Sequence, residues 1–264
     1  MPTRITRLAR PLVACLALAL AGCTSSSAVS STSTSSRASV VATPTTTAPS
    51  GVSVLPVGTC SQVSGAPSNG PAWVPTELAG AVPASQKPEL EFYSVGTETA
   101  LGPRGWSCAQ LTGADGSSSL SVYPTGQPNP TTSAGPVSPG AQIISEDFDY
   151  TAHVPGVDLV CPYFPSFAST AEPCPNGVPA GEVVHELTPD IVSITDPSGV
   201  KGSLDGSGGS LAVSAVMIAP QAPNLPNGVD VAEESCSVRN TVLCPSILQD
   251  FMIREFPVPT YPPS

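Results

Sequence analysis

Positive charge is scarce in this chain. Its 264 residues hold nine Lys+Arg against twenty Asp+Glu, a formal net charge of −11. A protein that neutralises phosphates needs the reverse balance, so nucleic-acid binding through a basic face is excluded. Histidine is scarcer still, with His153 and His185 alone, and a Ser-His-Asp triad would have to use one of them. No G-x-S-x-G or H-E-x-x-H occurs. His185-Glu186 begins like the latter, but Leu187-Thr188-Pro189 follows without a second His, and Pro189 would break the helix that motif requires. Aromatic residues make up 5 % of the chain. Uninterrupted helical stretches are also missing, because 32 Pro and 23 Gly punctuate the sequence. That excludes a helical bundle or coiled coil. Pro plus Gly still falls below the ~25–30 % typical of wholesale disorder.

What is present begins at the N-terminus, MPTRITRLARPLVACLALALAGC. Arg4, Arg7 and Arg10 precede an apolar run from Leu12 to Ala21. About ten residues are too few to cross a bilayer, which needs ~20. A basic head, a short apolar middle and small residues before a cut site describe an export signal. Leu20-Ala21-Gly22-Cys23 resembles the lipobox of bacterial prolipoproteins. The resemblance implies removal of residues 1–22 and diacylation of Cys23 as the new first residue, with a location on the outer face of the cell membrane. Loss of three Arg leaves six cations against twenty acids, or −14. An anionic lipid surface repels such a domain, so the membrane contact would be the diacylglyceryl anchor itself.

Residues 23–53 carry the lipidated Cys and a Ser/Thr-rich run with no aromatic residue and one charge, Arg37. Such a segment cannot bury enough surface to offset its backbone entropy and reads as a disordered tether, with an average reach of roughly 30 Å. Its Ala/Pro/Thr bias resembles exported actinobacterial lipoproteins. So does the run Gly102-Pro103-Arg104-Gly105-Trp106-Ser107-Cys108 with the Leu120-Ser121-Val122-Tyr123 segment after it. Neither resemblance implies an activity.

The remaining chain, 54–264, reads as a mainly β, disulfide-stapled antiparallel domain with a short C-terminal helix. Cys60, Cys108, Cys161, Cys174, Cys236 and Cys244 are even in number and lie outside the cytoplasm by the export reading. They contain no C-x-x-C, and neither His stands at zinc-ligand spacing. Disulfides are therefore expected rather than a metal. Six cysteines allow 15 pairings; nearest neighbours, Cys60–Cys108, Cys161–Cys174 and Cys236–Cys244, are the expected set. Strands are expected at 90–95, 120–123, 141–150, 183–187, 191–195 and 211–218, the last being the strongest and central. Asp196-Pro197-Ser198-Gly199 fits a type I turn. Pro245 to Phe256 repeats Ile247, Leu248 and Phe251 at helical spacing behind an N-terminal Pro. A second, weaker helix is expected near Pro75, including Glu77 and Leu78. Whether the domain is one unit or two halves parted near the 126–140 loop stays open.

Carboxylates are the remaining catalytic option. Glu146, Asp147 and Asp149 sit in one expected strand, where period two sets Asp147 and Asp149 on one face and Glu146 beside Phe148 on the other. Adjacent acids suit a glycosidase or Ca²⁺, but an exposed acidic face that keeps an edge strand soluble is the plainer reading. Asp196 to Asp205 is no EF-hand, since Val200 stands where an oxygen ligand is needed. Trp106, two residues before Cys108, reads as packed on that disulfide or as a carbohydrate platform. Trp73 and the trio Tyr163, Phe164 and Phe167 read as caps on the core or a ligand face. No cofactor is implied. The expected role is a tethered, non-catalytic binding or interaction module for a cell-wall component or envelope protein. The alternatives are a cell-wall polymer hydrolase using the β-strand acids, and an accessory subunit of an envelope assembly.

Overall fold

Short stretches of alternating or continuous apolar residues, closed off by Gly, Pro and Ser, become twelve strands in the computed structural model. It describes residues 51–64, 73–113, 117–130, 137–149, 160–164, 177–219 and 231–255. These strands are β1 (Ser53–Thr59), β2 (Ser61–Ser64), β3 (Glu77–Gly80), β4 (Leu90–Ser94), β5 (Thr99–Pro103) and β6 (Ser107–Thr112). They continue with β7 (Ser118–Tyr123), β8 (Ile143–Asp149), β9 (Val183–Thr188), β10 (Ile191–Asp196), β11 (Val213–Ile218) and β12 (Val231–Ser237). One helix follows, α1 (Cys244–Glu255). All the described residues fall in one compact unit, Thr47–Ser264. No described helix is long and apolar enough to cross a membrane.

The strands form a four-stranded sheet, β3-β1-β4-β5, and an eight-stranded sheet, β2-β6-β7-β8-β12-β11-β10-β9. Pairing is antiparallel except for β1 with β4 and β2 with β6. The chain passes from the small sheet to the large one at Cys60, between β1 and β2, and there it is tied to Cys108 on β6. Cys236 on β12 is tied to Cys244 at the start of α1. Two expected pairings are thereby found. By chain entropy they restrict the unfolded state by about 4 and between 2 and 3 kcal/mol respectively. Cys161 is also disulfide-bonded, while Cys174, like Cys23, lies outside the described residues.

One core lies between the small sheet, α1 and the covered face of the large sheet, with Leu55, Phe92, Leu101, Leu120, Ile144, Ile247 and Phe251 in it. A second core occupies the opposite face and contains Phe164, Val192, Ile194, Leu204, Ala215 and Met217. β11 serves both: Val216 and Ile218 enter the first and Ala215 and Met217 the second. That is why its sequence is apolar almost without a break, and it is an interior strand as expected. Because β7 and β8 pair directly across the 126–140 loop, that loop does not separate two halves.

Three local expectations are corrected. Glu77 and Leu78 lie in β3, not in a helix; four residues beside Pro75 cannot repay helix nucleation, whereas β1 offers a ladder with Leu55 opposite Leu78. The turn after β10 closes one residue later than expected, from Val200 N–H to Pro197 O at 2.9 Å, with Gly199 at φ +80° where a side chain would be strained. Ser53, assigned to the tether, already begins β1, and its hydroxyl donates to Val82 O at 2.9 Å; residues 23–50 lie outside the described residues.

Candidate functional site

The carboxylates of β8 come first. The expectation of a solvated edge face is overturned: β8 lies between β7 and β12, and Glu146 is fully buried. Glu146 faces the first core with Ile144 and Phe148, directly opposite Glu234 on β12. Glu234 is equally buried, and neither of its oxygens has a hydrogen-bond partner; Glu146 Oε1 has none either. Arg254 on α1 reaches Glu146 Oε2 through Nη2 at 3.2 Å and Asp250 Oδ2 through Nε at 2.9 Å. Asp250 Oδ1 in turn accepts Ala81 N–H at 2.9 Å. Burial pushes the Glu146 carboxyl up to about 8 despite Arg254. Burial and the neighbouring Glu146 raise Glu234 as well. One cation cannot neutralise the buried pair together with Asp250, so the pair retains a proton at neutral pH.

Asp147 points the other way. It accepts the Ser145 hydroxyl at 2.8 Å and stands opposite Glu233. Burial raises both, Glu233 to about 8 with Asp147 adding to the effect. Glu146 and Asp147 therefore emerge on opposite faces of one sheet and cannot act on a common substrate as acid and base. The side chain of Asp149 lies outside the described residues.

Other candidates resolve as follows. His185 is exposed on β9, and His153 lies outside the described residues, as does Phe167. Tyr163 and Phe164 are buried in the second core, while Trp73 is 82 % exposed. The Tyr163 hydroxyl donates to Glu182 Oε1 at 2.8 Å, and Glu182 Oε2 accepts the Ser203 amide and hydroxyl at 2.8 and 2.6 Å. This network, invisible in the sequence, braces the loop after β10. Burial pushes Asp196 there up to about 6, with Leu204 N–H opposing. Ser198 and Lys201 have Ser-x-x-Lys spacing but share no helix; Ser198 lies in a turn and donates to Ser210 O at 2.9 Å. Among the described residues no group of three His, Cys, Asp or Glu side chains is placed to hold a metal ion.

Trp106 has the most open chemistry. It is half-buried, packs against the first core and borders two shallow clefts. One, of about 460 Å³, is walled by Trp106, Glu91, Tyr93, Ser107, Cys108 and Tyr123. The other, of about 480 Å³, contains Trp106, Arg104, Arg239, Asn240, Gln142 and Glu89. Trp106 and Cys108 thus line the same cleft, so the disulfide and platform readings meet in one place.

The loop that carries Arg104 and Trp106 is held firmly. Trp106 N–H donates to the Tyr93 hydroxyl at 2.8 Å, which lies 2.8 Å from Glu91 Oε1. Gly105 N–H donates to that same oxygen at 2.8 Å, and Gly105 O accepts the Thr125 hydroxyl at 2.7 Å. Gly105 adopts φ +79°, which suits the turn to glycine. Burial and the Glu91 carboxylate push the Tyr93 phenol up, so it stays a neutral donor. The Cys60–Cys108 bridge anchors the far end. An aromatic plate with polar groups on both sides, fixed before any ligand arrives, suits recognition of a molecule with an apolar face and hydroxylated edges.

No protein-family model, curated protein or solved structure matches the chain.

Proposed function

We propose that this chain is an extracytoplasmic lipoprotein, fastened to the cell membrane by a diacylglyceryl group on Cys23, whose β domain binds a saccharide of the cell wall at Trp106. One observation carries the binding half of this reading: Trp106 borders two clefts that each combine apolar and polar groups, on a loop immobilised by Tyr93, Glu91, Thr125 and a disulfide. Pre-organised aromatic surface lowers the entropy cost of holding a sugar ring. Binding is favoured over hydrolysis because the β8 acids diverge, with Glu146 enclosed and paired to Arg254. The lipobox resemblance at Leu20–Cys23 supports the membrane attachment.

The test is retention of the detergent-solubilised full chain on purified, lipid-free cell wall. The parent is expected to sediment with the wall and Trp106→Ala to stay in solution. Equal retention of both chains, or retention of neither, overturns the proposal.

A further inference from the structure

The charges around Trp106 are unevenly distributed. Among the described residues there are five cations: Lys87, Arg104, Lys201, Arg239 and Arg254. Arg254 is used up in the core by Glu146 and Asp250. Of the other four, Arg104 and Arg239 line one and the same cleft, on a chain whose formal charge is −11. They come from segments more than 130 residues apart, so nothing local in the sequence places them together. Glu89 is the acid in that cleft, and its Oε2 already accepts Asn240 Nδ2 at 2.9 Å. The Arg104 guanidinium is oriented by Nη2 donation to Leu90 O and Lys87 O at 3.2 and 3.3 Å. Arg239 is held through its backbone, N–H to Gln142 Oε1 at 3.1 Å, and its exposed side chain forms no ion pair with a described residue.

Resting on the saccharide-binding reading above, we propose that this cleft takes an anionic saccharide, with the sugar ring against Trp106 and its carboxylate or phosphate on Arg239 and Arg104. Two features favour an anion over a neutral sugar. The chain's acidic excess disfavours negative ligands over its surface as a whole, so a depression in which two Arg outnumber one Glu is where such a ligand is best admitted. Arg239 also presents a planar donor fork with no ion-pair partner among the described residues, the geometry that meets carboxylate or phosphate in a two-pronged contact. The neighbouring cleft behind Trp106 offers acceptor and hydroxyl groups at Glu91 and Ser107 for neutral sugar edges. A ligand longer than one ring therefore crosses the indole with its charged unit on the Arg239 side.

The test uses the detergent-solubilised full chain and two matched pairs of probes: oligogalacturonate against neutral oligogalactan, and glucose 6-phosphate against glucose. By titration calorimetry at about 50 mM salt, at least one charged probe should bind about tenfold more tightly than its neutral twin, and the advantage should shrink at about 500 mM. Which pair discriminates distinguishes carboxylate from phosphate. Arg239→Gln should abolish the preference with an unchanged melting temperature, and Arg239→Lys should keep part of it. Charged and neutral twins bound equally well, or a preference that survives Arg239→Gln, would overturn the inference and leave saccharide binding at Trp106 standing. Wall retention unaffected by Trp106→Ala would remove the wider reading instead.

Discussion

Replacing Glu234 by Gln should make the protein more stable at pH 8 and nearly unchanged near pH 4.5. Glu234 and Glu146 face each other across the β8–β12 ladder, fully buried, with Arg254 as their cation. Burial raises Glu146 from 4.5 to about 8 and raises Glu234 as well. For an acid raised on folding, the native state holds a proton that the unfolded chain has released, so stability is lost as pH rises from the unfolded value to the folded one. At pH 7, roughly two and a half pH units above the unfolded value, one retained proton costs about 3 kcal/mol, with a slope of about 1.4 kcal/mol per pH unit. Gln keeps the shape but cannot ionise, and position 234 pairs across the ladder with Glu146, whose Oε1 lacks a donor. Urea unfolding of both chains at pH 4.5, 6, 7 and 8 measures the difference. Glu98, Asp147, Asp205 and Glu233 are raised too, and Glu182 is lowered. They are common to both chains and cancel. The expected gain at pH 8 is between about 1 and 3 kcal/mol. Parallel pH profiles, or a loss at every pH, would refute a proton held by this pair.

Other perturbations read different parts of the structure. Phe251→Ala empties a fully buried site where α1 meets the first core and should cost about 3–5 kcal/mol by denaturant titration; a loss below about 1 kcal/mol would mean that α1 is not seated there. Gly202→Ala would drive a methyl group into the Asp196 carboxylate. It should lower the melting temperature by several degrees and loosen the loop after β10, detectable as faster amide exchange at Ser203 and Leu204. Cys23→Ala should release the chain into the medium; retention in the membrane fraction would contradict lipid attachment.

Much of the β framework is legible because burial imposes a pattern. Ile191–Asp196 and Val213–Ile218 enclose core on both faces, and the 245–256 segment shows its buried stripe at Ile247, Leu248 and Phe251. The two described disulfides join cysteines adjacent in sequence, the shortest closures open to each. β12 is hidden for a physical reason: Glu234 occupies a core position, which breaks the alternation that would have disclosed the strand. The same buried partner turns Glu146 from a surface acid into an enclosed one. β3 is a four-residue strand defined by its pairing with β1, so composition alone misreads it. Trp106 stands out in the sequence beside Cys108. Arg239, which shares its cleft, does not, because only the folded chain brings the two segments together.

The most direct measurement is fluorescence from Trp106 itself. The chain has two tryptophans, and Trp73 is far from buried, so a Trp73→Phe chain reports on Trp106 alone. Titration with solubilised cell-wall saccharide should shift and saturate its emission, with the midpoint weakened by Arg239→Gln. Emission that stays constant while the chain remains bound to the wall would place the ligand elsewhere and contradict the account.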